Sequence, residues 1–196
     1  NYLANSESLS DYYGNPVKAE IDCDAFISFY TETAESSLAM VQNGSQLLIA
    51  CLLKLTAIYR SISQRSYRKS QIFCKKAFDM IDKFYGPNAV ELEAASAHHE
   101  QGIIFQGLDN HGNAEKCFDQ AFSILENLSG ASEATKIGVI LRSLGDNHYA
   151  MKNHIKAAEC YEKTLSIYKT TPPDAGLIEV ANTLNNQGAN FCEMGE

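Results

Sequence analysis

Apolar residues recur at spacings of three and four along most of the chain from position 46 onward, the period of an amphipathic α-helix. The clearest stretch contains two apolar stripes in succession. The first stripe consists of Ile137, Ile140, Leu141, Leu144 and His148. The second stripe consists of Ile155, Ala158, Tyr161, Leu165 and Tyr168. A short join at positions 151–153, where Asn153 can cap the second helix, predicts an antiparallel helix pair.

The same pattern predicts two earlier helix pairs. One pair is expected at Gln46–Ile62 and Tyr67–Tyr85, and the other at Glu91–Leu108 and Asn113–Asn127. Gly- and Pro-containing breakers separate the pairs, as in Gly86-Pro87-Asn88. We therefore predict an all-α fold built from helix pairs.

Three glycines lie at equivalent places in successive pairs, because Gly102, Gly145 and Gly188 are 43 residues apart. At offsets of 3, 12, 16 and 19 after Gly102 come Phe105, Ala114, Phe118 and Ala121, and after Gly145 come His148, Ala157, Tyr161 and Thr164. Glycine inside a helix costs about 1 kcal/mol relative to alanine. The close approach of the second helix of the pair is the expected reason for it.

The pattern at these offsets is a small residue, an aromatic, an alanine, a second aromatic and another small residue. This pattern resembles that of the tetratricopeptide repeat family. The step of 43 residues, with Thr183–Gly188 and Gly86–Val90, is similar to the long-helix subclass typified by kinesin light chains. The resemblance implies an α-α superhelix, a right-handed solenoid of antiparallel helix pairs whose first helices line a concave groove. The expected organisation is an irregular N-terminal segment with a capping helix or degenerate repeat at 1–45, then repeats at 46–88, 89–131 and 132–174 and a truncated one at 175–196.

Composition excludes several functions. A net charge of −8, with 16 basic and 24 acidic residues, argues against a nucleic-acid-binding surface. The longest apolar run, Leu47–Leu53, is too short to span a membrane. The six cysteines form no Cys-x-x-Cys pair, so we expect reduced thiols, a cytoplasmic location and no metal site. No phosphate-binding loop, nucleophile elbow or HExxH motif occurs, so neither a cofactor nor a catalytic residue is expected, and the chain is interpreted as non-enzymatic. Because the last repeat stops partway, the chain is also expected to be a fragment of a larger protein.

Helical geometry places four positions of each first helix toward the groove, at 6 and 3 residues before the marker glycine and 1 and 4 after it. The peptide-binding candidates are His99, Ile103, Gln106, Arg142, Asp146, Tyr149, Asn182 and Asn185. Asparagine can donate to and accept from a peptide backbone, and arginine can bind a carboxylate. The negative charge of Asp146 argues against a ligand that presents a C-terminal carboxylate.

The expected function is therefore a protein–protein interaction module that binds a peptide or helix of a partner in the groove. Two alternatives remain open. The chain could be a regulatory or substrate-recruiting arm of a larger enzyme or motor complex. It could also be an architectural solenoid that self-associates.

Overall fold

The computed structural model describes residues 38–62, 67–86, 89–128, 133–171 and 176–195. In this part of the chain the regular elements are seven α-helices. They are α1 (Leu38–Ile62), α2 (Tyr67–Tyr85), α3 (Leu92–Gly107), α4 (His111–Leu128), α5 (Glu133–Ala150), α6 (His154–Thr170) and α7 (Leu177–Met194). The all-α helix-pair fold expected from the sequence is confirmed.

The chain divides into two compact units, Asn1–Ala89 and Val90–Glu196. In the first unit α1 packs on α2 around fully buried Leu48, Ile49 and Leu52. The Ser70 hydroxyl donates to the Thr56 carbonyl oxygen at 2.8 Å and ties the two helices together. Helix α1 is already present at Leu38, eight residues before the predicted start at Gln46, and Ser45 is fully buried within it. The rest of the N-terminal segment, including most of the expected capping helix, lies outside the described residues.

In the second unit each helix packs on the next in chain order, from α3 to α7. One apolar cluster joins α3, α4 and α5. Its fully or almost fully buried members are Ala95, Ala114, Phe118, Ala121, Leu125 and Ile140. Because every hairpin shares side chains with the next one, no single hairpin has to bury its apolar face alone.

The two hairpin turns of this unit have the same geometry. Asp109 and Lys152 adopt φ values of 56° and 58°, the left-handed conformation that ends many helices. The next residues, Asn110 and Asn153, donate their backbone N–H groups to carbonyl oxygens five positions earlier, each at 2.9 Å. Their side chains then accept from the backbone N–H three positions later, at 3.4 Å in both turns. The predicted cap at Asn153 is thus confirmed, and Asn110 repeats it one period earlier.

The marker glycines of the two helix pairs α3/α4 and α5/α6 lie under aromatic rings. A methyl group added at Gly102 would meet Phe118 Cε1 at 2.5 Å, and one at Gly145 would meet Tyr161 Cε1 at 2.6 Å. Close helix approach therefore explains both glycines. Gly188 differs, since an added methyl group there would meet nothing within 4 Å.

The apolar stripe predicted for α6 is partly wrong. Ile155 is 67% exposed, whereas the buried face consists of Ala157, Cys160, Tyr161, Thr164 and Tyr168. This face is centred on small residues because α5 approaches closely at Gly145 and Gly138. The prediction favoured large apolar side chains over the small and polar ones that fit this interface.

Within the described residues, no helix is both long and apolar enough to cross a membrane.

Candidate functional site

A polar network joins the first helices of two successive hairpins, α5 and α7. Arg142 donates from Nε to Glu179 Oε2 at 2.9 Å and from Nη1 to Asp146 Oδ2 at 3.1 Å. The other oxygen of Asp146, Oδ1, accepts from Asn186 Nδ2 at 2.7 Å and from the Tyr161 hydroxyl at 2.9 Å. Three helices are thereby connected through one carboxylate. We refer to these five residues as the Asp146 network.

The Asp146 network fixes the side chains that it contains. The charged side chains are 21–29% exposed, so they are partly shielded from water. Their electrostatic attraction is therefore stronger than that of a fully exposed surface ion pair. Burial, together with the nearby Asp146 carboxylate, raises the pKa of Tyr161, which keeps this hydroxyl a hydrogen-bond donor. Two carboxylates face one guanidinium, so the network carries an excess of negative charge.

The predicted groove residues fall into three groups according to their contacts in the structure. Arg142 and Asp146 are brought together in the Asp146 network. His99 and Ile103 take part in packing, since His99 Nε2 lies 3.0 Å from Ser143 Oγ and Ile103 packs against the apolar cluster. The remaining candidates are Gln106 and Tyr149, which are half-buried, and Asn182 and Asn185, which are exposed. The Tyr149 ring meets His154 edge-on, with 5.7 Å between ring centroids.

Sequence reasoning missed a pair of buried clamps between successive hairpins. His111, the first residue of α4, has Nδ1 2.9 Å from Asn147 Oδ1, and Asn147 Nδ2 donates to the His111 carbonyl oxygen at 3.0 Å. His154, the first residue of α6, makes the same two bonds with Asn190, at 2.9 and 2.8 Å. Both asparagines are fully buried. We call these the His111 and His154 clamps.

The clamps were detectable from the sequence. Both histidines lie one residue after a capping asparagine, and both asparagines lie two residues after a marker glycine, again with a step of 43. The structure shows that Asn147 is the partner of His111. Tyr161, interpreted as a packing residue only, also contributes its hydroxyl to the Asp146 network.

The described residues include no group of three or more His, Cys, Asp or Glu side chains that could hold a metal ion. Burial raises the pKa of the Cys117 and Cys160 thiols to about 11 in each case, so both are protonated at neutral pH. These thiols are packing groups of low reactivity.

His148 is a buried titratable group at the junction of α4, α5 and α6. It is 4% exposed, its Nδ1 has no hydrogen-bond partner, and its Nε2 lies 3.8 Å from Glu115 Oε1. Burial is the main effect and lowers its pKa from the ordinary value of 6.5, and Lys156 on α6 acts in the same direction. Glu115 and Asp119 on α4 and Glu159 on α6 oppose this shift without overcoming it. His148 is therefore neutral in the folded protein at neutral pH.

We expect acidification from pH 7 toward 5.5 to lower the stability of the second unit. The unfolded chain protonates His148 near pH 6.5, whereas the folded chain resists protonation to a lower pH, so stability is lost as the pH falls through this window. Urea unfolding of the wild type and of His148→Gln at several pH values measures the effect. The variant should lose less stability over this pH range than the wild type. Part of the remaining loss is expected from His98, because burial lowers its pKa as well. Identical pH dependence in both proteins would contradict this assignment.

The stacked helix pairs, the aromatic-covered glycines and the clamps repeating at 43 residues define a helical-repeat protein. Residues 93–170 match the family model described as tetratricopeptide repeat. Over this segment the chain is similar to the tetratricopeptide repeat family, which confirms the resemblance found in the sequence. Tetratricopeptide repeats generally mediate protein–protein interactions.

Solved structures share the fold. BtubC (BKLC) from P. vanneervenii superposes with a TM-score of 0.59 at 16% identity, covering 94% of this chain and 77% of that one. A Signal Transduction ATPase with Numerous Domains (STAND) protein with a tetratricopeptide repeat sensor, from Pyrococcus horikoshii, gives a TM-score of 0.58 at 15% identity. That match covers 93% of this chain and 28% of the ATPase. No curated protein matches the sequence.

Proposed function

We propose that the second unit binds an extended peptide or a helix of a partner protein on the surface formed by α3, α5 and α7. The observation that carries the proposal is the Asp146 network, which holds charged side chains in fixed positions beside exposed amides. Asn182 lies three residues after Glu179 on α7, on the neighbouring part of the helix surface, and Asn185 precedes Asn186 of the network. Together they offer donors and acceptors that match a peptide backbone.

The charges of this surface favour a neutral or basic partner segment. Arg142 already binds two carboxylates of its own chain, so a ligand carboxylate would have to displace Glu179 or Asp146. A lysine or arginine of the ligand would instead meet the excess negative charge of the network. The exposed edge of Tyr149 would supply an apolar contact with a polar tip.

A peptide array graded from acidic to basic tests the proposal. Basic and neutral peptides are expected to give the strongest signals. The double variant Asn182→Ala/Asn185→Ala should weaken peptide binding about tenfold, because it removes two hydrogen bonds of about 0.5–1.5 kcal/mol each. Both side chains are exposed, so the fold should not change. Asn113→Ala/Asn127→Ala removes two exposed amides from the outer helix α4 and serves as the matched control. An equal effect of the two double variants, or a preference for acidic peptides, would count against this surface.

A regulatory arm of a larger enzyme is the second candidate. The tetratricopeptide repeats of the P. horikoshii ATPase are described as a sensor, and this chain spans 28% of that protein's length. In that role the same surface would bind the partner, and binding would alter the activity of an attached domain. A cytoplasmic location belongs to both proposals and is supported by the free thiols of the described cysteines.

A further inference from the structure

The outer face of α2 carries a concentration of positive charge. Arg68 and Lys69 lie in the first turn of the helix, and Lys75 and Lys76 follow two turns later. Ile72 lies between the two pairs and is 54% exposed. Arg68, Lys69 and Lys75 are also exposed, and Lys76 is half-buried. We call these five residues the α2 basic face.

The fold does not require this charge. Fully buried Ala77 on α2 corresponds to fully buried Ala121 on α4, 44 residues later. The positions that correspond to the α2 basic face are exposed on α4 and, after a further 43 residues, on α6. They are Gly112, Asn113, Lys116, Asp119 and Gln120 on α4, and Ile155, Lys156, Glu159, Glu162 and Lys163 on α6. Each of these sets contains as many acidic as basic residues, so this surface is exposed in each of the three helices but basic only on α2.

Two of the positive charges lie where the helix dipole disfavours them. A cation in the first turn of a helix costs about 0.3–1 kcal/mol, and the first turn of α2 contains no acidic residue to offset Arg68 and Lys69. The Nζ atom of Lys69 lies 4.9 Å from the centroid of the Tyr59 ring, which holds this charge in place. A carboxylate bound beside this turn would interact favourably with both side chains and with the helix dipole.

The chain itself contains a segment of complementary charge. Residues 1–37 include seven acidic residues and one basic residue, whereas residues 38–89 include eight basic and two acidic residues. The acidic residues are most concentrated at Glu20, Asp22 and Asp24. Phe26 and Ile27 follow directly and could cover the exposed side chain of Ile72.

The connection to α1 is long enough for this segment to reach the α2 basic face. Helix α1 comprises 25 residues and is therefore about 37 Å long. Because α2 begins where α1 ends, Arg68 lies at the far end of the helix pair from Leu38. Asp24 precedes Leu38 by 14 residues, which can span up to about 50 Å.

We propose that the acidic segment Glu20–Asp24 docks on the α2 basic face of its own chain. Its carboxylates pair with Arg68, Lys69 and Lys75, and the apolar residues that follow cover Ile72. Because the charges lie at the surface, salt weakens the docking. The proposal concerns the first unit and does not depend on the proposed peptide-binding surface of the second unit.

Thiol cross-linking in the full chain tests the docking, because Cys23 lies inside the acidic segment. Ile72→Cys places a thiol at the centre of the α2 basic face, and Cys192→Ser removes the exposed native thiol of α7. A short bismaleimide is expected to join Cys23 to position 72 within one chain, as identified by peptide mass spectrometry. Lys116→Cys in place of Ile72→Cys uses the corresponding exposed position on α4, where cross-linking should be at least about tenfold slower because no docked state raises the local concentration. Equal rates at the two positions, no product, or a product that joins two chains would overturn the proposal.

Charge exchange tests whether the docking is electrostatic. In the cross-linking background, Asp22→Lys/Asp24→Lys should slow the reaction about fivefold or more, since attraction is replaced by repulsion. Glu32→Lys/Glu35→Lys makes the same change of charge outside the segment and is the matched control. Adding Arg68→Glu/Lys75→Glu to the first double variant should restore the rate.

Two controls accompany the charge exchange. Rates are normalised to the reaction of Cys23 with N-ethylmaleimide, because neighbouring charges also change the thiolate fraction. Circular dichroism verifies that each variant keeps its helix content. Equal slowing by the two double variants, or no recovery when the charges are exchanged, would show that the acidic segment does not recognise the α2 basic face.

Discussion

Gly145→Ala is expected to destabilise the second unit by about 1–2 kcal/mol, whereas Gly188→Ala is expected to stabilise it by up to about 1 kcal/mol. Both glycines lie inside a helix and at the same repeat position. Alanine improves helix propensity at either site by about the same amount. The opposite signs arise only from what lies above each glycine.

Tyr161 cannot easily move away from a methyl group at position 145. Its ring is 1% exposed, its hydroxyl donates to Asp146, and the Cys160 Cβ atom lies 3.2 Å from the added methyl as well. Overpacking of this kind typically costs about 1–3 kcal/mol, which exceeds the gain in helix propensity. Nothing within 4 Å opposes the same methyl at position 188.

Urea unfolding followed by far-ultraviolet circular dichroism measures the stability of both variants. Gly102→Ala is a second destabilising case, because its methyl group would lie 2.5 Å from Phe118. A stabilising Gly145→Ala would show that the interface between α5 and α6 is loosely packed. Equal effects at positions 145 and 188 would exclude the close approach of the aromatic ring as the reason for the glycine.

Much of this fold was predictable because packing between successive helices imposes a period on the sequence. Gly102 and Gly145 identified the repeat, and Phe118 and Tyr161 identified the rings that cover them. Helix ends were predictable where a specific hydrogen bond fixes them, as at Asn153. The buried face of α6 was harder to predict from the sequence, because it consists largely of small and polar residues such as Ala157 and Thr164. A hydrophobicity pattern gives little weight to such residues.

The candidate surface was predictable only in outline. Helical geometry identified Arg142 and Asp146 as neighbours on the exposed side of α5, yet their partners Glu179 and Asn186 come from the next hairpin, about 40 residues away. A polar side chain on a repeat surface can face a ligand or bond to the adjacent repeat, and its spacing is the same in both cases. Whether such a side chain faces a ligand or the adjacent repeat depends on its rotamer and on the residue it contacts. Helical periodicity gives no information about either. This is why the repeat could be identified while the charge balance of its surface required the structure.

The His111 and His154 clamps are expected to set the register between successive hairpins. Each buries a fully enclosed asparagine whose amide satisfies both the ring nitrogen and the carbonyl oxygen of a histidine on the preceding hairpin. An apolar residue could fill the same space, but it would bond to neither group. Two specific hydrogen bonds penalise any shift along the interface, because a buried polar group without a partner costs about 1–3 kcal/mol.

A double-mutant cycle measures this coupling. Asn147→Ala alone is expected to cost about 2–4 kcal/mol, since it removes the hydrogen bonds to the His111 ring nitrogen and to the His111 carbonyl oxygen and opens a small cavity. Combined with His111→Ala, which removes the ring and keeps the main-chain carbonyl oxygen, the loss should be less than additive by about 0.5–1.5 kcal/mol in urea unfolding. The control cycle pairs His111→Ala with Asn190→Ala, which belongs to the other clamp on α7, and its coupling should stay within about 0.5 kcal/mol. Additive losses for Asn147 and His111 would mean that the bond between the asparagine and the imidazole ring contributes nothing to the register between repeats.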